Sequence, residues 1–299
     1  MKQVGLIGYP VSHSLSPQMQ QAAFDALGIE ARYVLWETQP GTLAQRVASL
    51  RSPEMLGANV TIPYKEDVVP LLDEYDPVTV KIGAVNTIVN RGGRLVGYNT
   101  DAAGFIRALA DFTGRAFDCH GKKVVILGTG GAARAAAVAL LENGVGELAL
   151  LGRTQRRVDA LVNQLRALDS SKRQVSGLPF PPLHQRRRGG QGGEARQGDE
   201  AGGFLSRADL LVNATPVGLK MDDEALLVDI ELLQAGAFVM DLVFNPPRTA
   251  LLRAAHAHGC QVSNGLAMLL YQGALAFELW TGRAAPLEPM RAALGLITG

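Results

Sequence analysis

The 299-residue sequence predicts an α/β fold of two domains, the second of them of Rossmann type. Short apolar strand signals alternate with helix signals along most of the chain, as in α/β proteins. A glycine-rich loop that begins at Gly128 joins an apolar strand to an alanine-rich helix. The length suits two ordinary domains, and hydrophobic residues make up 47% of the chain, which is sufficient for full cores.

The first predicted domain begins with alternating strands and helices. Strand signals lie at 4–7, 33–36, 84–90 and 95–98, helix signals at 17–27 and 42–50, and the second helix leads into the segment 57–63. The pattern changes at Asn99-Thr100-Asp101, and we place a domain boundary after Asp101. Residues 1–101 therefore form one predicted domain and residues 102–265 the other.

The second domain opens with a helix and a βαβ unit. Strands are expected at 123–127, 148–151, 208–213 and 238–243, and helices at 102–112 and from the glycine loop to Leu141. The C-terminal part of the chain, beyond this domain, is predicted to be helical at 268–282 and 288–294. Residues 170–204 show almost no apolar periodicity and are rich in Gly, Arg and Gln. We predict that this segment is a flexible insertion, mobile and dispensable over 184–203.

Composition excludes several classes of protein. The net charge of +1 gives no long-range field for nucleic acid or an anionic membrane. Cys119 and Cys260 are far apart, so we expect no metal site and no disulfide, and a cytoplasmic protein. The N-terminus lacks signal-peptide features, and Gln272 and Glu278 interrupt the C-terminal apolar stretch. The sequence leaves monomer and homodimer both open.

A dinucleotide site is predicted where the apolar strand 123–127 meets the pattern G-x-G-x-x-A at 128–133. Glycines allow a tight turn and a close approach of a pyrophosphate to the N-terminus of the following helix. No carboxylate lies between Leu148 and Val158, where an NAD site usually offers one. Arg153, Thr154 and Arg157 suit the 2′-phosphate of NADP instead, and an exposed basic helix start is the alternative.

Small polar residues follow the strands of the first half. Ser14 and Ser16 are two positions apart, so in an extended segment their hydroxyls would point the same way and could bind a carboxylate. The alternative is an ordinary helix N-cap, since Pro17 follows Ser16. Residues alone favour that alternative.

Further polar residues could hold a hydroxylated ring acid. Asn59 and Thr61 share a face, and Asn86 lies in the next polar segment. Lys65, expected at the start of a helix, can transfer a proton if an acid such as Asp101 holds it in a partly dry site. Spacing alone favours the alternative, a solvated surface lysine at position 65.

The motifs together resemble those of the shikimate dehydrogenase family. They occur in the family's order over nearly the whole chain, outside residues 170–204, and read GYPVSHSLSP, GANVTIPYK, GAVNT, NTD, GTGGAA, GRT, NATPVG, DLVFNPPRT and NGLAMLLYQGALAF. The resemblance implies reversible NADP-dependent reduction of 3-dehydroshikimate to shikimate. It also implies that the C-terminal helices, residues 266–299, pack back on the first domain and complete it.

The resemblance assigns roles residue by residue. Lys65 would be the acid and base with Asp101 beside it, and Ser14 and Ser16 would bind the substrate carboxylate. The remaining substrate contacts would come from Asn59, Thr61, Asn86, Asp101, Phe244 and Gln272. The cofactor would contact Gly128, Thr129, Gly130, Gly131, Ala132, Arg153, Thr154, Arg157, Asn213, Thr215, Leu242 and Gly265. No metal is implied.

Four residues depart from the family's pattern. Thr129 replaces Ala, Gly152 replaces Asn, Phe244 replaces a Tyr whose hydroxyl would lie near the substrate, and Ala267 replaces Gly. These four departures are expected to affect the affinities for substrate and cofactor more than the chemical step. The alternatives are a quinate/shikimate dehydrogenase of broader use and a non-catalytic NADP-binding regulatory module. The latter predicts loss of Lys65 or Asp101, and both are present.

Overall fold

The computed structural model describes residues 1–114, 118–171, 173–180, 200–220 and 223–296. The chain divides into two compact units. The first contains Met1–Asp111, Arg134–Ala136 and Leu266–Gly299, and the second Phe112–Ala133 and Ala137–Gly265. The units divide after Asp111, whereas the predicted domain boundary lies after Asp101. They divide again after Gly265, where the second boundary is predicted.

The elements follow one another in α/β alternation. The strands are β1 (Lys2–Gly8), β2 (Ala31–Glu37), β3 (Met55–Val60), β4 (Glu74–Tyr75), β5 (Thr87–Arg91), β6 (Arg94–Tyr98), β7 (Lys123–Leu127), β8 (Glu147–Gly152), β9 (Gln174–Pro179), β10 (Leu210–Asn213), β11 (Phe238–Asp241) and β12 (Gln261–Ser263). The helices are α1 (Ser16–Ala26), α2 (Leu43–Ser49), α3 (Pro77–Ile82), α4 (Asp101–Thr113), α5 (Gly131–Glu142), α6 (Gln155–Leu168), α7 (Glu200–Leu205), α8 (Ala250–Ala257), α9 (Leu266–Thr281) and α10 (Leu287–Ala293).

The first unit is built on a mixed sheet of order β2-β1-β3-β5-β6-β4. Strand β1 pairs in parallel with β2 and β3, whereas β5 runs antiparallel to β3 and β6. Side chains alternate across it, so Val4 and Leu6 join one core with α1, α9 and α10, while Ile7 joins another with α2. Both faces of the sheet are therefore covered, and α9 and α10 pack on α1 as the resemblance implies.

The second unit contains a wholly parallel sheet of order β12-β11-β10-β7-β8-β9. This is the doubly wound order of a dinucleotide-binding fold, with β7 as its first strand. The topology reverses between β7 and β10, and ligands of such sheets bind outside the carboxyl ends of the strands at that point. The predicted fold class, two-domain α/β with a Rossmann-type unit, is confirmed.

The prediction of one flexible insertion over 170–204 is wrong at both of its ends. Strand β9 pairs with β8, and Val175 within it is buried. Helix α7 places Leu205 in the core on one face of the second sheet. An edge strand needs few apolar residues, and Gly177 of β9 lets Val158 and Val162 of α6 approach the strand backbone. The apolar alternation of β9 is therefore weak in the sequence. Residues 181–199, including most of the predicted mobile segment 184–203, lie outside the described residues.

Sequence patterns also missed short elements. Helix α3 has Pro77 in its first turn and Asp76 as a cap that accepts a hydrogen bond from the Thr79 amide at 2.8 Å. Strands β4 and β12 contain two and three residues, too few for a detectable period. Among the described residues, no helix is both long and apolar enough to cross a membrane.

Candidate active site

A lysine and an aspartate form a nearly buried ion pair in the first unit. Lys65 Nζ lies 2.6 Å from Asp101 Oδ2, and their side chains are 15% and 4% exposed. Lys65 lies in consecutive turns after Ile62-Pro63, so its predicted place at a helix start is wrong. Its main chain is fixed because the Val85 amide donates to the Lys65 carbonyl at 2.7 Å. The alternative of a solvated surface lysine is excluded.

Asp101 is held by its position as the first residue of α4. Asn99 Oδ1 accepts hydrogen bonds from the amides of Asp101 and Ala102, at 3.1 and 3.3 Å, and so caps the helix. A helix N-terminus stabilises a negative charge. The carboxylate therefore has three stabilising neighbours: the helix start, the Lys65 ammonium, and the amide of Asn86.

Asn86 is the hub of a buried polar cluster. Its Nδ2 donates towards Thr100 Oγ1, Asp101 Oδ1 and Gln272 Oε1, at 2.9, 2.8 and 3.2 Å. Its Oδ1 accepts from the Thr100 amide at 2.7 Å, which fixes the orientation of the side chain. Three acceptors share two hydrogens, so the most distant, Gln272 Oε1, keeps capacity to accept a further donor such as a ligand hydroxyl.

Gln272 reaches this cluster because α9 comes very close to α4. A Cβ placed on Gly104 would lie 2.7 Å from both the Cβ and the amide nitrogen of Gln272. Gly104 is therefore the residue that lets the two helices touch. Residues more than 180 positions apart in sequence thus meet at one site.

Asn59 and Tyr33 extend the polar cluster away from the ion pair. Asn59 Nδ2 donates to the Asn86 carbonyl at 3.1 Å and to Thr87 Oγ1 at 3.2 Å. Tyr33 OH donates to Asn59 Oδ1 at 2.8 Å. Burial raises the pKa of the Tyr33 phenol, which keeps it a neutral donor. The place of Tyr33 in this cluster could not be predicted from the sequence, because a tyrosine in an apolar strand is typical of the buried core.

The two serines occupy a turn, so the assumption of an extended segment is wrong. Leu15 between them has right-handed helical angles, and Ser16 is the first residue of α1. Ser14 Oγ accepts from the Ser16 amide at 3.2 Å, whereas Ser16 does not serve as the N-cap. Ser14 is half-buried and Ser16 is 6% exposed. The turn keeps the Ser14 hydroxyl beside the main chain of Ser16.

Two predicted substrate residues stand apart from these bonds. Thr61 directly follows β3, is half-buried, and its amide donates to the Ile7 carbonyl at 2.8 Å. A Cβ on Gly8 would lie 2.4 Å from the Thr61 methyl, so Gly8 makes its place. Phe244 belongs to the second unit, where it is half-buried beyond β11.

In the second unit, the predicted glycine loop lies where the doubly wound sheet would bind a ligand. Gly128 follows β7 with φ +115°, a conformation that favours glycine. A Cβ on Gly130 would meet nothing within 4 Å, so open space remains above the loop. The first amides of α5 follow at Gly131 and Ala132. These residues fit a pyrophosphate at a helix N-terminus.

Thr129 and Gly152, two of the residues that depart from the family pattern, are sterically complementary. A Cβ on Gly152 would lie 3.0 Å from the Thr129 methyl and 2.7 Å from Val158 Cγ2. The threonine therefore occupies space that a side chain at position 152 would need. Beyond Gly152, the side chains of Arg153, Thr154 and Arg157 are exposed around the start of α6. They offer cations and a hydroxyl to a phosphate beside the glycine loop.

A buried carboxylate organises the ends of β10 and β11. Asp241 is fully buried and accepts from Asn213 Nδ2, the Val243 amide and Thr249 Oγ1, at 2.9, 3.0 and 2.6 Å. Asn213 Oδ1 in turn accepts from the Thr215 amide and hydroxyl. Burial raises the pKa of Asp241 to about 6, against its three hydrogen bonds, which lower it.

The other two predicted cofactor residues lie next to that carboxylate. The Leu242 amide donates to the Asn213 carbonyl at 2.9 Å. A Cβ on Gly265 would lie 2.2 Å from the Leu242 carbonyl oxygen, so only glycine fits there. Asn213, Thr215 and Leu242 thus lie at or just beyond the carboxyl ends of their strands, as Gly128 and Arg153 do on β7 and β8.

Comparisons with known proteins place these features in one family. The sequence model of the shikimate dehydrogenase substrate binding domain matches residues 6–88. That of the shikimate / quinate 5-dehydrogenase matches residues 111–179, and that of the shikimate 5′-dehydrogenase C-terminal domain matches residues 265–294. The shikimate dehydrogenase (NADP(+)) of Moorella thermoacetica is 44% identical over 300 residues, covering 99% of this chain and 95% of its own.

Solved structures of similar proteins include complexes with cofactor and substrate. A shikimate dehydrogenase in complex with NADP+ is 35% identical with a TM-score of 0.83, over 100% of this chain and 96% of its own. The Thermus thermophilus enzyme in complex with NADP(H) and shikimate is 37% identical with a TM-score of 0.80, over 99% of both chains. A Corynebacterium glutamicum quinate dehydrogenase in complex with NAD is 30% identical, TM-score 0.81, over 99% of both.

Proposed function

The chain belongs to the shikimate dehydrogenase family, and we propose that Lys65, paired with Asp101, is the acid and base of its NADP-dependent reaction. The enzyme interconverts 3-dehydroshikimate and shikimate, a step of the shikimate pathway. The observation that carries the proposal is the ion pair of 2.6 Å between two nearly buried side chains. This ion pair fixes the position of a proton donor, the Lys65 ammonium, in the same unit as the polar cluster of Asn86.

The ammonium group of Lys65 supplies the proton that the chemistry requires. Reduction of the C3 ketone leaves an oxyanion, and Lys65 Nζ donates a proton to it; in the reverse direction the neutral amine accepts the proton of the hydroxyl. Asp101 holds the ammonium in place and accepts a hydrogen bond from a substrate hydroxyl. NADPH, when bound, supplies the hydride. Asn86 and Gln272 orient the ring through its hydroxyls.

The carboxylate of the substrate binds, in this proposal, to the hydroxyls of Ser14 and Ser16. Support comes from the turn that keeps the Ser14 hydroxyl beside the main chain of Ser16, in the same unit as the ion pair. Thr61, half-buried at the end of β3, contributes a further hydroxyl. In this proposal the unreactive carboxylate and the reacting carbinol are held by different residues of the first unit.

NADP binds along the carboxyl edge of the second sheet. Gly128, Gly130 and the amides of Gly131 and Ala132 hold the pyrophosphate, with Thr129 beside them. Arg153, Thr154 and Arg157 bind the 2′-phosphate. The residues proposed to line the path to the nicotinamide are Asn213, Thr215, Leu242 and Gly265.

We place the enzyme in the cytoplasm. Cys119 and Cys260 are free and buried, and burial raises the pKa of both thiols, which makes them unreactive structural cysteines. Such thiols suit a reducing compartment.

Replacement of Lys65 tests the proposed mechanism. Lys65→Ala should lower kcat by about 10²–10⁴-fold, the usual contribution of general acid–base catalysis, while KM for shikimate changes little. Asp101→Ala should lower kcat and raise KM, because Asp101 also holds substrate. Lys81→Ala, which changes an exposed lysine of the same unit, is the matched control and should leave both constants unchanged. A Lys65→Ala enzyme with near-normal kcat at neutral pH removes Lys65 from the mechanism.

A further inference from the structure

The loop that follows β10, residues 213–218, is fastened at both ends to one buried carboxylate. Asp241 Oδ1 accepts from Asn213 Nδ2 at 2.9 Å, and Asp241 Oδ2 accepts from Thr249 Oγ1 at 2.6 Å. Gly218 packs on Thr249, since a Cβ at Gly218 would lie 3.1 Å from the Thr249 methyl. Asp241 therefore fixes the first residue of this β10 loop directly and the last one through Thr249.

Side chains within the β10 loop close it on itself. Asn213 Oδ1 accepts from the amide and the hydroxyl of Thr215, at 3.0 and 2.7 Å. Thr215 Oγ1 accepts from the Val217 amide at 3.2 Å, and the Val217 carbonyl accepts from Asn213 Nδ2 at 3.2 Å. An amide NH₂ group carries two hydrogens and a hydroxyl carries one. Both hydrogens of Asn213 and the hydroxyl hydrogen of Thr215 are thus used inside the protein.

The middle of the β10 loop packs on the glycine loop. Gly128 has φ +115°, and a Cβ there would lie 3.0 Å from the Ala214 carbonyl oxygen and 3.2 Å from the Thr215 methyl. The Ala214 amide donates to the Leu127 carbonyl at 2.9 Å, directly before Gly128. On the β8 side, the Gly128 amide donates to the Leu151 carbonyl at 2.7 Å. The β10 loop and the end of β8 therefore set the position of the first glycine.

We propose that Asn213 and Thr215, anchored on Asp241, are positioning residues of the glycine loop. Their polar groups hold the β10 loop against Gly128, where the turn towards the first amides of α5 begins. These amides are thereby aimed at a pyrophosphate before the cofactor arrives. Asn213 and Thr215 line the cofactor path with main-chain and carbon atoms only. The inference rests on the proposed function, which places the pyrophosphate of NADP on the glycine loop.

The physical reason is preorganisation. Glycine has more backbone freedom than any other residue, so a glycine loop loses much conformational entropy when a ligand fixes it. A neighbour that restrains Gly128 in the free protein reduces that loss on binding. Without the Thr215 hydroxyl, more of the ordering must take place when the pyrophosphate binds. The weakening should therefore affect ligands that contain the pyrophosphate and spare those that lack it.

Thr215→Val tests the inference, since it keeps the shape of the side chain and the methyl beside Gly128 and removes only the hydroxyl. Three ligands are compared by calorimetric titration. NADP is complete, 2′-phospho-ADP-ribose has the pyrophosphate without the nicotinamide, and 2′-AMP has neither. We expect Kd for NADP and for 2′-phospho-ADP-ribose to rise by the same factor, about three- to tenfold, with Kd for 2′-AMP unchanged.

Asn213→Ala is the second variant and should raise the same two constants. Combined with Thr215→Val, its effect should be clearly less than multiplicative, because Asn213 acts through Thr215. Thr38→Val is the matched control. Thr38 is a buried threonine of the first unit whose hydroxyl also donates to a residue two positions earlier, the Trp36 carbonyl at 2.8 Å. Its loss should lower the thermal unfolding temperature comparably and leave all three Kd values unchanged.

The ligands separate failure of the inference from failure of the proposed function. If the native enzyme binds neither NADP nor 2′-phospho-ADP-ribose, the cofactor assignment fails. If it binds both and Thr215→Val weakens NADP alone, Thr215 contacts the nicotinamide part directly and the positioning role is overturned. That role is also overturned if Thr215→Val changes neither Kd, if it weakens 2′-AMP equally, or if the effects of the two variants multiply fully.

Discussion

The residues of the site combine one ion pair with amide and hydroxyl groups that hold it. Lys65 and Asp101 lie 36 positions apart, and their bond forms only because the turn after Pro63 and the start of α4 meet. Each partner is anchored independently, Lys65 through its carbonyl and Asp101 through the Asn99 cap.

Arg153→Ala should weaken the binding of NADP and leave the binding of NAD almost unchanged. A good charge-assisted pair contributes ~1.5–3 kcal/mol, so the loss corresponds to about tenfold to a hundredfold in Kd for NADP. NAD lacks the 2′-phosphate, and its Kd should change little. Titration of each cofactor by fluorescence measures both constants.

Arg156→Ala provides the control for that substitution. Arg156 is the exposed neighbour on α6 and is not assigned to the phosphate. Its removal should alter NADP binding by much less than the Arg153 variant, through the general field alone. Equal losses for NADP and NAD in Arg153→Ala would contradict the assignment.

The role of a residue could be predicted from the sequence only where the residue belongs to a recognisable motif. Lys65, Asp101 and Asn86 were found through the family resemblance, and the structure brings them together. Tyr33 could not be found this way, because its partner Asn59 lies 26 positions away and strand periodicity marks the tyrosine as core. Long-range hydrogen bonds leave no local pattern in a sequence.

At the scale of elements, the contact between α4 and α9 depends on a single glycine. Gly104→Ala would place a methyl group 2.7 Å from the backbone and Cβ of Gln272. We expect a loss of about 1–3 kcal/mol in the free energy of unfolding and a raised KM for shikimate, because α9 must shift and carry Gln272 away from Asn86. Denaturant titration and steady-state kinetics measure the two effects. In an unconstrained helix the same change stabilises by up to ~1 kcal/mol, and such a gain would refute the contact.

The carboxyl ends of β10 and β11 should confer a pH dependence on stability. The pKa of Asp241 is about 6 in the folded protein, above its ordinary value of 3.8. Stability from this group is therefore fully present below about pH 4 and is lost as pH rises through about 6. One pKa unit corresponds to about 1.4 kcal/mol, so the loss is on the order of 3 kcal/mol.

Asp241→Asn isolates that effect. The variant keeps a group of the same shape and cannot ionise, so its stability relative to the native enzyme should rise between pH 4 and 7. Thermal unfolding of both proteins across this range gives the comparison. Asp229→Asn, at an exposed cap, should keep the native pH dependence. A constant difference between the native and Asp241→Asn enzymes at every pH would show that Asp241 does not titrate there.

Elements with a strong period were predictable, and the weak ones were not. Strand β7 runs from Lys123 to Leu127 as predicted, because it is central and buried on both faces. The sequence predicts a loop at strand β9 and helix α7, since one is an edge strand with a glycine and the other has two glycines in six residues. Tertiary packing on the core of the second unit, through residues such as Leu205, overrides those local signals.

At the scale of the whole molecule, the chain distributes its two tasks between two compact units. The first holds the ion pair and the polar cluster on a mixed sheet, and the second holds the glycine loop and its basic neighbours on a parallel sheet. The fold class followed from the alternation of elements and the placement of the glycine loop. The substrate did not follow from composition or periodicity, since many reactions share this architecture.

One set of assays tests the central claim most directly: oxidation of shikimate and of quinate, each with NADP and with NAD, by the same preparation of the full-length enzyme. The exposed arginines beyond β8 and the absence of a carboxylate there predict that kcat/KM is highest for shikimate with NADP, at least about tenfold above shikimate with NAD. Turnover of quinate should be much slower with either cofactor. If quinate with NAD is the best pair, or if no combination gives turnover, the account is wrong.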